Sequence, residues 1–310
     1  MGFGILLNVI LIHLIVRHTP KLLRIYSKIL LQICVTDILL LMMTLLFCPY
    51  AVTTEKGETE SILYGLIIIK GVENRIWNAL ALFCWVFLLN VSMFGYVSQF
   101  IFRYLILVRG KKISSLKYFL LLFLILLFPF AYCVNVFICF FPPADHAILD
   151  DKSVAEILGI NLDDQIILAA YAINDIHLSL TLFYLVIIST FAYIIIFGLA
   201  YCIKKFLDMK TKCVSSSSEI AKKMIEVNKQ VSRNLIFQAS MPIIIYFSLN
   251  FQLVFLLFNI DIQGWDWLLY YNKLSPFPIF LPSALNPIVS FCTINAYRIK
   301  FVSNIKCFGM

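Results

Sequence analysis

Asp37 is an acid inside a long apolar run, in the stretch VTDILLL, and Asn8, Ser92 and Asn286 are polar residues in similar surroundings. A carboxyl group held out of water must find hydrogen-bond partners or hold a proton. Asp37, Ser92, Asn286 and Asn8 are therefore read as one polar cluster in an apolar medium. Two roles fit it: a network that only fixes helix register, or a switch that holds a cation or a proton. Arg103, in SQFIFRYL, stands at the end of another apolar run. It either snorkels its charge towards headgroups or latches its helix to a neighbour. Pro242 and Pro287 are placed where kinks would let the distal half of a helix pivot. No catalytic signature accompanies these residues. HExxH, GxSxG and phosphate-loop patterns are missing, the 4 histidines are scattered and no CxxC pair occurs. No catalytic residue, metal site or cofactor is expected.

The elements that position such residues follow from composition. The chain is 62% hydrophobic and only 14% charged, with a mean hydropathy of +0.93. A soluble domain is about half apolar and a quarter charged. The excess belongs in lipid, where each backbone polar group must bond internally, so that only helices or a closed barrel can span. Barrel strands alternate apolar and polar residues, whereas the run from Leu116 to Phe141 is continuous. Helices are the consequence. Runs near the ~20 residues a span needs fall at 3–16, 29–52, 77–101, 117–141, 176–203, 235–258 and 274–296. The first is short. Either the bilayer thins around it or the chain lacks its true N-terminus.

Charge fixes the expected orientation. The loops after the first, third and fifth runs and the tail hold 20 of the 25 basic residues, while the other three loops hold 13 of the 17 acids. The positive-inside rule then places the N-terminus outside and the C-terminus in the cytoplasm. The net charge of +8 is thereby assigned to a membrane face, and no nucleic-acid partner is expected. The expected fold class is an all-α membrane protein, a seven-transmembrane helix bundle forming a single domain over 1–310 with no soluble domain. The acidic loop 141–175 should hold a short helix. From depth alone, Trp85, Tyr171, His177 and Tyr246 are assigned to an outer ligand pocket. Ile220, Met224, Val227, Val231 and Leu235 recur at helical spacing, with Lys222 and Lys223 off the stripe. This seam has the form of a partner-binding helix, or of one packed on its neighbour.

The stretches RHTPKLLRIYSKILLQICVTDILL, FRYLILVRGKK, RNLIFQASMPI and PSALNPIVSFCTINAYR resemble nematode serpentine chemoreceptors, especially class delta. Asn8, Asp37, Arg103, Pro242 and Asn286-Pro287 match the wider rhodopsin-like design of G-protein-coupled receptors. The resemblance implies a plasma-membrane receptor of sensory cilia that detects small environmental molecules and acts through a heterotrimeric G protein. It implies switch roles for Arg103, Pro242 and Pro287, and G-protein contacts at Lys222, Lys223, Val227 and Val231. Three features depart from that design: Phe102 replaces the usual acid before Arg103, Ser290 replaces a tyrosine, and the long outer loop has no cysteine. The alternative is a small proton- or sodium-coupled transporter with Asp37 as its site, although the spans show no visible repeat.

Overall fold

A computed structural model gives the fold and describes residues 1–20, 24–53, 58–150, 152, 155, 159–173, 176–213, 219–243 and 276–308. The helices in chain order are α1 (Gly2–His18), α2 (Arg24–Phe47), α3 (Arg75–Leu107), α4 (Ser115–Cys139), α5 (Ile176–Cys213), α6 (Glu219–Ser240), α7 (Pro276–Thr293) and α8 (Asn295–Phe308). Among the described residues, α2 to α5 are each long and apolar enough to cross a bilayer. α1 is equally apolar, but its 17 residues reach only ~26 Å at 1.5 Å per residue. α5, with 38 residues, is far longer than a ~30 Å hydrocarbon core needs. Its last turns carry Lys204, Lys205, Lys210 and Lys212 past the apolar zone. The expected sixth span, 235–258, is described only as far as residue 243, and residues 244–258 lie outside the described residues.

The apolar run 29–52 is not helical to its end. α2 stops at Phe47, Cys48 turns to φ 35°, and Pro49 opens a strand. Proline disfavours a helical conformation in the residue before it, so the break follows from the sequence although the hydropathy does not show it. Strand β1 (Pro49–Thr53) pairs antiparallel with β2 (Thr59–Leu63) from Pro49↔Leu63 to Thr53↔Thr59. β2 pairs antiparallel with β3 (Leu168–Ala172), with a bulge at Ser61/Ile62. The long loop thus contributes a strand and two 3₁₀ turns, Ala144–His146 and Leu162–Asp164. Lys152 and Ala155 in the same loop are helical, where a short helix was expected.

The sheet caps one end of the bundle. The Asn78 side chain of α3 donates to the Ile167 carbonyl at 2.7 Å, and the Tyr171 amide to the Phe140 carbonyl at 2.9 Å. Leu63, Ala169 and Ala170 close over Leu40, Leu82 and Trp85 in one apolar cluster. Gly65, just after β2, passes so close to α2 that a Cβ would stand 2.5 Å from the Leu46 carbonyl oxygen. Overpacking of this kind costs about 1–3 kcal/mol. Gly65→Ala is therefore expected to lower the thermal midpoint of the detergent-solubilised protein by several degrees, and an unchanged midpoint would rule out this close approach.

At the opposite end, Leu11, Leu14, Leu30, Phe100, Leu235 and Ile294 are at most 1% exposed and join α1, α2, α3, α6 and the α7–α8 junction into the main core. The outer faces of α4 and α5 are apolar instead of polar. Phe119, Phe123, Leu124, Phe128, Phe191 and Ile194 all stand exposed. A surface of this kind has lipid as its natural solvent.

Candidate functional site

The site begins with a proline. Pro287 lies inside α7 and has no N–H, which frees the carbonyl four residues back, that of Ser283. Asn8 of α1 supplies the missing donor: its Nδ2 donates to Ser283 O at 3.1 Å and to Gly4 O at 3.0 Å. The approach is close, because a Cβ on Gly4 would stand 3.0 Å from Ala284 Cα. Asn8 was expected beside Asp37, and it instead serves the backbone of α7 one step away. Removing it should orphan a buried carbonyl, at about 1–3 kcal/mol. Asn8→Leu is expected to destabilise the wild type by that amount and a Pro287→Ala background by clearly less, because alanine restores the helical donor to Ser283 O. Equal losses in thermal unfolding of the two backgrounds would refute the pairing.

Next to that carbonyl, Asn286 Nδ2 donates to Asp37 Oδ2 at 2.7 Å and to the Tyr96 hydroxyl at 3.2 Å. The hydroxyls of Ser92 and Ser283 neighbour the same carboxyl group. Asp37 and Asn286 are at most 1% exposed, and Tyr96 is 2% exposed. The expected association of Asp37, Ser92 and Asn286 is therefore present as geometry. Tyr96 and Ser283 were not singled out from the sequence. Tyr96 could have been, since it follows Ser92 by four residues on one face of α3.

A second polar line joins α6 to α7. Gln230, Asn234 and Gln238 follow one another every four residues, and each is at most 7% exposed. Gln230 Oε1 accepts from the Asn295 amide at 3.2 Å, and Asn234 Oδ1 from the Thr293 hydroxyl at 2.8 Å. Asn234 Nδ2 donates to Gln238 Oε1 at 3.0 Å. Gln238 Nε2 reaches Asn286 O and Ser290 Oγ, each at 3.2 Å. The ladder therefore ends on the residue that holds Asp37. Ser290, which departs from the family tyrosine, is used here as a small acceptor.

Arg103 is 0% exposed and does not snorkel. Its Nη2 donates to the Asn228 carbonyl of α6, and its guanidinium lies 4.9 Å from the centre of the Tyr26 ring on α2. Pro242 is buried in the turn that ends α6 after Ser240. Lys222 and Lys223 are exposed on α6. Val231 is not available to a partner as expected: it is 1% exposed in the main core, and Val227 packs against that core. The apolar stripe of α6 turns inward from Val227 onward, beside the amide ladder that faces α7, while Ile220 and Met224 stay exposed.

The expected ligand-pocket residues do not meet. Trp85 is buried under the sheet and donates to Thr44 Oγ1 at 2.9 Å. Tyr171 is on β3, where its hydroxyl donates to Glu58 at 3.1 Å and its ring stacks on His146 at 5.4 Å. His177 is exposed on the first turn of α5. Tyr246 lies outside the described residues. Between α3 and α4 beneath β3 there is only a crevice of about 10 Å³, room for a single water, lined by apolar residues such as Leu82, Phe83, Val86 and Phe137. Cys34, Cys48, Cys84, Cys133, Cys139, Cys202 and Cys292 are free thiols.

These helices and their polar core define a rhodopsin-type bundle of seven transmembrane helices. The fold matches a crystal structure of squid rhodopsin with a TM-score of 0.61 at 12% sequence identity, over 99% of this chain and 82% of that one. The chain belongs to the family described as serpentine type 7TM GPCR chemoreceptor Srd, which it matches over residues 1–303. It is also similar to serpentine receptor class delta-1 of Caenorhabditis elegans, 31% identical over 112 residues. That match covers 35% of this chain and 28% of the relative.

Proposed function

We propose that the protein is a chemosensory G-protein-coupled receptor for small environmental molecules, set in the plasma membrane of sensory cilia and signalling through a heterotrimeric G protein. The sheet-capped end faces outside, and the end carrying Arg103, Lys222 and Lys223 faces the cytoplasm. One observation carries this reading. A continuous hydrogen-bonded path runs from Asp37 through Asn286 and Gln238 to Asn234 and Thr293, all buried in a bundle of a receptor family. A ligand that favours one arrangement of α2, α3 and α7 at the core must therefore act on α6, the helix that Arg103 also touches. Population shift needs only such a difference in affinity between two states. Lys222 and Lys223 are placed to meet the G protein first, and Val227 and Val231 can do so only after α6 moves. No observation favours coupled transport.

Tagging the full chain at each end tests the orientation. The N-terminal tag should bind antibody on intact cells and the C-terminal tag only after permeabilisation. The opposite pattern would overturn the assignment of the cytoplasmic face, and with it the role given to Lys222 and Lys223.

A further inference from the structure

Arg103 is a fully buried cation whose chain neighbour, Phe102, is apolar and meets Tyr118 edge to face with ring centres 5.0 Å apart. Among the described residues, no carboxylate pairs with Arg103. A guanidinium kept out of water needs compensation from elsewhere. It finds the π face of Tyr26 at 4.9 Å and the carbonyl of Asn228. These two partners are themselves tied, because the Tyr26 hydroxyl donates to Asn228 Oδ1 at 3.1 Å. The other end of that amide is fixed too, with Asn228 Nδ2 donating to Met224 O at 3.0 Å. Tyr26 is 4% exposed and Asn228 6%. A single side chain on α2 thus touches both halves of the contact between α3 and α6.

We propose that Tyr26 is the positioning residue of this latch: its ring holds the Arg103 guanidinium, its hydroxyl holds α6 through Asn228, and α2 closes the cytoplasmic face where an acid on α3 would otherwise do so. Arg is well suited to the arrangement, since its planar guanidinium can lie on an aromatic face while an edge N–H still reaches a carbonyl. The two functions of Tyr26 are separable. Phenylalanine keeps the ring and loses the hydroxyl, and leucine loses both. The inference deepens the receptor reading given above and rests on it for its consequence, but the distance between α3 and α6 can be read without ligand or G protein.

The test is a pair of spin labels at Lys112 and Lys222, both exposed, in the full chain in lipid nanodiscs. Labels attached through non-natural amino acids avoid the exposed Cys202 and Cys292. The wild type should give one short distance. Tyr26→Leu should move about a tenth or more of the molecules to a longer one, the size of a minor state made visible. Tyr26→Phe and Asn228→Ala should each give a smaller and similar change. Their double variant should add nothing to either, because both remove the same hydrogen bond. The proposal is overturned if Tyr26→Leu, shown folded by a cooperative melting transition, keeps the wild-type distance. If the leucine variant does not fold, the cycle decides: additive effects of Tyr26→Phe and Asn228→Ala, or no effect of either, would overturn it. Either failure leaves the receptor reading to its own test with the G protein.

Discussion

Asn286→Leu is expected to cost about 3–5 kcal/mol, the scale for removing one partner of a buried polar pair. The reason is the number of groups left behind. Asn286 Nδ2 serves the Asp37 carboxyl group and the Tyr96 hydroxyl together, both in the bundle interior. Leucine fills the space and serves neither. Asp37 would keep only its serine neighbours on α3 and α7. Stability of this order is a large share of the 5–15 kcal/mol typical of a domain, so little of the variant should reach the cell surface. Asp37→Asn should be much milder, since an amide oxygen can still accept from Asn286. The thermal midpoints of the two variants in one detergent check this. A leucine variant within about 1 kcal/mol of wild type would mean that Asp37 does not depend on Asn286.

The second large effect belongs to Gln238. It takes part in three hydrogen bonds, accepting from Asn234 and donating to Asn286 O and Ser290 Oγ. Gln238→Leu should therefore cost about 2–3 kcal/mol and loosen α6 from α7. In the proposed receptor, a loosened α6 raises ligand-free nucleotide exchange on the G protein. A 1.4 kcal/mol shift in the balance of states is a tenfold change in population, so a several-fold rise is expected. Asn234→Leu should act in the same direction. The double variant should lose less than the sum of the two, because they share one bond. Additive losses, or basal exchange equal to wild type, would contradict a coupling ladder.

The sequence displayed the spans because lipid demands long apolar runs, and it displayed Asp37, Ser92 and Asn286 because polar groups in such runs are costly. Other features were hidden for physical reasons. The strand at Pro49–Thr53 continues an apolar run without changing its hydropathy, so only Pro49 marks the break. LAAYA over Leu168–Ala172 has too little alternation to announce a strand. Gln230 and Asn234 stand just before the expected sixth span and Gln238 just inside it, and only the neighbouring α7 turns them into an interior ladder. The pocket assignment from depth failed because depth gives no direction around the helix axis: Trp85 turns to Thr44 and His177 turns outward. Tyr26 passed unnoticed for the same reason, since an aromatic near a span end usually marks the interface.

The central claim is that this bundle couples to a heterotrimeric G protein. The most direct measurement places the full chain in lipid nanodiscs with purified heterotrimers of each main Gα class and removes free nucleotide with apyrase. A receptor that opens at α6 should capture at least one heterotrimer, and a non-hydrolysable GTP analogue should release it. Capture should weaken when Lys222 and Lys223 are both replaced by glutamate. If no heterotrimer is held in a nucleotide-sensitive way by a chain that is folded and correctly oriented, the chain has the fold and family of a receptor without its coupling, and the polar path from Asp37 to Asn234 serves only to pack the helices.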